Sequence, residues 1–141
     1  MKDWIDLLGR IFISLIFFWE AYDSIAYFES VQRTMKTYGL DWNPDLLLTL
    51  AIILLMLGAL FILIGYRASV GALLILIYWV PVTFIVYSFW NDPIPERRMQ
   101  SIQFMKNIAI IGGLMIVLVN GSGRFSIKRI LAASRPPKTK W

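Results

Sequence analysis

A chain of 141 residues that is 58% apolar or aromatic and only 16% charged falls well below the roughly 25% charge of an ordinary soluble protein. A water-soluble domain of this size buries only about two-thirds of its unfolded surface, so this composition excludes solution in water and selects lipid as the solvent. The chain has no His and no Cys, which excludes zinc sites of the usual kind, iron–sulfur clusters, thiol redox chemistry, haem held by His and every His-based triad.

Four membrane-spanning helices are predicted, at about 7–28, 46–66, 69–90 and 102–119. In the first, the uncharged stretch runs only from Ile11 to Trp19, too short to cross a hydrocarbon core of about 30 Å at 1.5 Å per residue. A span must therefore take in Arg10, Glu20 and Asp23. A signal peptide is the competing reading, but no small-x-small site follows the apolar stretch and acids stand where the cut would fall, so a retained helix is expected. The second span holds 21 uncharged residues between Asp45 and Arg67, enough to cross. The third lies within 24 uncharged residues from Ala68 to Asn91 and contains Pro81, which membrane helices tolerate with a kink. The fourth carries Lys106 one turn inside its start and is stopped by Asn120-Gly121.

Lys and Arg counts set the expected direction, because cytoplasmic flanks carry the excess. With the N-terminus inside, nine cations lie inside (Lys2, Arg10, Arg67, Arg124, Lys128, Arg129, Arg135, Lys138 and Lys140) and five outside (Arg33, Lys36, Arg97, Arg98 and Lys106). Both termini are expected in the cytoplasm. The second and third spans are separated by so few residues that they must be antiparallel neighbours. The outer connection before Asp45 reads as a loop ending in a turn, and Asp92-Pro93-Ile94-Pro95 reads as a second turn. The tail, 121–141, is basic, with Ser126 as a candidate N-cap for a short helix carrying Ile127, Ile130 and Leu131 on one side. Anionic lipid is its expected contact; nucleic acid is the rival reading of such a cation run and is not expected beside a membrane span.

Ala51, Gly58 and Gly65 recur by sevens in the second span, and Gly112 and Gly113 lie in the fourth, so these small residues are expected at helix contacts. Lys106, Gly113 and Asn120 also recur by sevens, which points Lys106 toward the packed side. The indole N–H of Trp79 needs a partner, for which the backbone freed around Pro81 is a candidate. Intramembrane charges are costly. Glu20 and Asp23 share one face of the first helix, Arg10 lies about 15 Å further along its axis, and Lys106 enters from the other direction at their depth. A polar cluster of Glu20, Asp23, Tyr87, Lys106 and Asn107 is therefore expected near the outer surface. It would serve either as an ion-paired register lock or as a pocket for a headgroup, a carbonyl or a proton.

Several stretches resemble the DoxX family: LLGRIFISLIFF at 7–18, MKTYGL at 35–40, LGALFILIGYR at 57–67, PVTFIVYSFW at 81–90 and FMKNIAIIGGLMIVLVNGSGRFSI at 104–127. The most specific is Phe-x-Lys-Asn followed by Gly112-Gly113 and then Gly-x-Gly-x-x-Ser at 121–126. The resemblance implies a four-helix bacterial inner-membrane protein. It also implies kinship with small subunits of terminal quinol oxidase or thiosulfate:quinone oxidoreductase assemblies and with membrane partners of redox enzymes, although most members have no assigned activity. This chain departs from the family pattern at charged positions. Where many members carry Gly-x-x-Lys late in the first helix it has Ala21-Tyr22-Asp23-Ser24, it lacks the Glu of the second helix, and Tyr87 stands where relatives have His. The family's Lys and Glu site therefore does not transfer.

The reading is a single membrane domain over 1–141, an all-α bundle of four spans in the bacterial inner membrane. It is expected to act as an accessory or scaffold subunit bound to another membrane protein or to further copies of itself, with no resident cofactor or metal and no catalysis of its own. A carrier of a small molecule, lipid or proton through the polar cluster is the alternative.

Overall fold

A computed structural model describes residues 1–123 and 127–134, with Lys128 described by its backbone alone. Among these residues the chain is helical without strands: α1 Lys2–Ala26, α2 Phe28–Thr37, α3 Pro44–Ile64, α4 Ala68–Val86, a 3-10 turn at Phe89–Asn91, α5 Ile94–Asn120 and α6 Ile127–Ala133. The packing order follows the chain. Helix α1 lies on α3, α3 on α4 and α4 on α5, while α1 and α5 approach each other only sparsely.

Three segments among the described residues are long and apolar enough to cross a membrane, Pro44–Ile64, Ala68–Asn91 and Ile94–Asn120. Helix α1 is long enough at 25 residues, but its acids and Arg10 lower its apolarity. Its sidedness is nonetheless inverted relative to a soluble helix. Arg10, Ser14, Phe17, Ala21 and Ser24 form its buried stripe, spaced by threes and fours, whereas Phe12, Leu15 and Trp19 are exposed, Trp19 by 68%. Arg10 and two serines face protein with Phe17, and most of the large apolar groups face outward.

The outer loop expected before α3 contains a helix instead. In α2, Phe28, Val31, Gln32 and Met35 are half-buried and the residues between them exposed, the spacing of an amphipathic helix lying on a surface. Polarity hid it, since Glu29, Gln32, Arg33 and Lys36 interrupt every apolar run. It stops where Gly39 takes φ 82° and the Leu40 amide donates to the Met35 carbonyl, a left-handed C-terminal stop. The Gln32 side chain bonds the Asp45 carboxylate, tying α2 to the start of α3. Helix α5 begins two turns earlier than expected, because Pro93-Ile94-Pro95 opens it rather than forming a free turn; proline is well suited to a first helical turn. The short tail helix occurs as α6; its expected cap, Ser126, lies outside the described residues.

Helices α3 and α4 approach closely enough for backbone to meet backbone. A Cβ on Gly58 would fall 2.8 Å from the Gly71 carbonyl oxygen, and one on Gly71 would fall 2.7 Å from the Gly58 carbonyl oxygen. Ala51 is buried as expected. Gly65 has another role: it caps α3 at φ 71°. Gly113 meets Ile13 of α1, whereas Gly112 has no neighbouring atom within 4 Å of where its Cβ would be and so lies off the helix contact. The core is apolar, built on Phe17, Leu55, Ile62, Ile75, Trp79 and Leu114, with Phe17 and Trp79 in edge contact at 5.1 Å.

Candidate functional site

Two polar centres lie at opposite ends of this bundle. At the end shared by the N-terminus of α1 and the C-terminus of α3, Arg10 is only 2% exposed. Its Nε donates to Asp6 Oδ2 at 3.0 Å, and its Nη1 points at the carbonyl oxygens of Ile62 and Leu63 at 3.4 Å each. The last carbonyls of a helix have no partner within it, and a cation there also meets the negative end of the helix dipole. Arg10 therefore bolts α1 to α3. Gly121 lies beside Ser69, and a Cβ on Gly123 would collide with the Asp6 carboxylate, so the segment after α5 closes over the same end. The Asp6-Arg10 spacing of four residues was visible in the sequence; its destination on α3 was not.

At the other end lie Glu20, Asp23 and Tyr87 of the expected polar cluster, while its Lys106 is exposed. Glu20 and Asp23 are half-buried on α1, and Tyr78 and Tyr87 of α4 and its C-cap are half-buried beside them. Glu20 lies close enough to couple electrostatically to both tyrosines, and Tyr87 couples in addition to Asp23 and to Tyr38. Tyr38 follows α2, so the amphipathic helix brings a third hydroxyl to this end. Neither Tyr78 nor Tyr38 was placed in the cluster from sequence; recurrence at the depth of Glu20 was the available signal for Tyr78.

Asn107 is buried, 6% exposed, and its Nδ2 has no hydrogen-bond partner among the described residues. Counting along the helices from the Gly113–Ile13 contact at about 1.5 Å per residue puts Asn107 at the depth of Glu20, across the sparse seam between α1 and α5. The Trp79 Nε1 and Ser14 Oγ are likewise buried and unpartnered. The backbone around Pro81 therefore does not take the indole proton as expected; the nearby Thr83 hydroxyl instead donates to the Trp79 carbonyl at 2.7 Å.

Lys106 is exposed, and no ion pair joins it to Glu20 or Asp23 among the described residues. The expectation that it faces the packed side is corrected: the buried side of α5 is centred on Asn107 and Leu114, and one residue later means a rotation of about 100°. Gly113, the marker used to infer the packed face, lies on the edge of the contact with α1. Among the described residues, then, no ion pair joins a cation to either acid of the cluster.

Three long apolar helices, and a further helix that buries polar groups while exposing large apolar ones, define an all-helical membrane protein. A model of the DoxX family matches residues 5–88, and the chain belongs to that family. It is 29% identical over 125 residues to inner membrane protein YqjF of Escherichia coli strain K12, covering 89% of this chain and 90% of that one. Inner membrane protein YphA of the same organism is 24% identical over 123 residues, 87% of each chain. A Surfeit locus protein 4 homolog of Schizosaccharomyces pombe is 29% identical over 91 residues, which cover 63% of this chain and 29% of that one. No solved structure matches the chain.

Proposed function

We propose that the chain is a four-span protein of the bacterial inner membrane, with both termini cytoplasmic, that serves as a non-catalytic accessory or scaffold subunit for another membrane protein. The observation that carries the reading is the sidedness of α1. A helix that hides Arg10, Ser14 and Ser24 and exposes Phe12, Leu15 and Trp19 is suited to lipid or to a partner helix, since polar groups in a bilayer must be satisfied within protein. The names of YqjF and YphA support the membrane, and the Lys and Arg counts of the sequence support the direction.

The partner surface we assign is the outward face of α1 around Gly9. Ile5, Gly9, Phe12 and Ile16 follow one another at helical spacing, the three large residues are exposed, and Gly9 has no atom within 4 Å of its would-be Cβ. A glycine between large apolar residues lets a second helix approach closely. Gly9→Leu is expected to leave the folded chain unchanged and to abolish co-purification of its partner from native membranes in mild detergent. Undiminished co-purification, or a chain found alone before any substitution, would overturn the subunit reading. Cysteine accessibility labelling that placed Lys2 and Ser134 on opposite sides would overturn the four-span topology.

A second reading is favoured by the missing lysine. Glu20 and Asp23, with no ion pair among the described residues, near tyrosines and at the depth of an Asn107 amide that has no partner among those residues, suit a site that holds a proton or a small cationic solute in transit. It predicts flux in liposomes containing this chain alone, lost in Glu20→Gln. Equal flux in the variant, or none in the parent, would exclude it.

A further inference from the structure

We infer that α5 carries a binding site for an anionic phospholipid, with the lipid phosphate on Lys106 and an acyl chain lying along Met105, Ala109 and Gly112. The site belongs to the leaflet at the α2 end of the bundle. It rests on α5 crossing the membrane and is independent of the partner face on α1 and of the direction of insertion.

A shallow groove of about 410 Å³ is lined by Ser101, Ile102, Met105, Lys106 and Ala109. Below it Gly112 opens onto empty space, so Ala109 and Gly112, three residues apart, extend a track without bulk down one side of the helix. Lys106 is exposed at its head and makes no ion pair among the described residues. It lies four residues inside the start of the apolar run at Ile102, about 6 Å at 1.5 Å per residue. An ammonium left in hydrocarbon is costly, but side chains of α5 lean toward its N-terminus, the direction of the headgroups, and the lysine stem is long enough to bring the charge up to them. Arg98, four residues above Ile102 on the same side of the helix, is exposed as well. Two cations therefore bracket the level of Ile102, where a phosphate would lie.

Charge complementarity favours lipid over a second copy of the chain. Two copies joined by this face about a two-fold axis would set Lys106 near its equivalent, and like charges oppose that arrangement. The carboxylates at this depth, Glu20 and Asp23, are half-buried on α1 and not on this face of α5.

The test is native mass spectrometry of the full chain released from bilayers of phosphatidylcholine containing a minority of phosphatidylglycerol. The parent is expected to retain one phosphatidylglycerol, Lys106→Arg to retain it, and Lys106→Met to lose it by about tenfold. Ala109→Trp, which fills the track and leaves both cations, is expected to lose it as well. Lys106 and Ala109 are both exposed, so helicity and melting temperature should be the same in all four proteins. Equal retention of phosphatidylglycerol in the parent and in Lys106→Met would overturn the site. So would a photo-crosslinker placed at Met105 that captures polypeptide and not lipid in native membranes.

Discussion

Arg10→Leu should lower the stability of the folded bundle by about 3 kcal/mol, the low end of the range for breaking a buried ion pair from one side. Arg10 is 2% exposed and Asp6 37%, so removal of the guanidinium leaves a carboxylate that is partly hydrated, which holds the cost to that lower end. The loss is larger than a surface pair would give, because the Nη1 contacts with the last carbonyls of α3 disappear with it. Replacing both partners, Asp6→Leu with Arg10→Leu, should recover at least half of the loss, since an apolar pair carries no stranded charge. The measurement is reversible unfolding in mixed micelles, reported as a double-mutant cycle. A single-variant loss under 1 kcal/mol would show that Arg10 acts only as a topology signal.

That prediction could not have been drawn from the sequence, and the reason is physical. The charge of Arg10, its spacing from Asp6 and its distance from Glu20 are all readable along the chain, but its partners on α3 are backbone carbonyls, which carry no residue-specific signature. The three apolar spans were legible because lipid imposes a length and forbids charge, two constraints that act on sequence directly. Helix α2 was illegible for the opposite reason: a surface helix with polar residues between Phe28, Val31 and Met35 offers no long apolar run. The cluster was legible in part. Spacing put Glu20 with Asp23 and depth put Tyr87 near them. Rotation about the axis of α5, which separates buried Asn107 from exposed Lys106, depends on the packed meridian, and the recurrence by sevens through Gly113 and Asn120 marked it wrongly by one residue. Of the small residues of α3, Gly58 lies against α4, while Gly71 was missed because the seven-residue repeat was followed in the second and fourth spans and not in the third. Its neighbours Ala68 and Ala72, buried beside it, were the available signal.

The reciprocal approach of Gly58 and Gly71 leads to the second large effect. An alanine at Gly58 would place its Cβ 2.5 Å from Ile75 Cγ1 and 2.8 Å from the Gly71 carbonyl oxygen. Ile75 can turn, but the carbonyl belongs to a helix backbone and cannot, so α3 and α4 must separate. At Gly71 the new Cβ would meet the Gly58 carbonyl oxygen at 2.7 Å and Phe61 Cβ at 2.8 Å, and neither atom is the free end of a side chain. Each alanine is therefore expected to cost about 1–3 kcal/mol, the range for overpacking a close contact. This outweighs the gain of up to about 1 kcal/mol that alanine brings to a helix interior. Gly112→Ala, with open space around it, should instead be neutral or slightly stabilising. Because one forced separation makes room for both methyl groups, the double variant Gly58→Ala with Gly71→Ala should lose less than the sum of its parts. Unfolding in mixed micelles measures all four. Additive losses would mean that the two glycines relax independently, and a neutral Gly71→Ala would mean that α3 and α4 are not held at this distance by backbone contact.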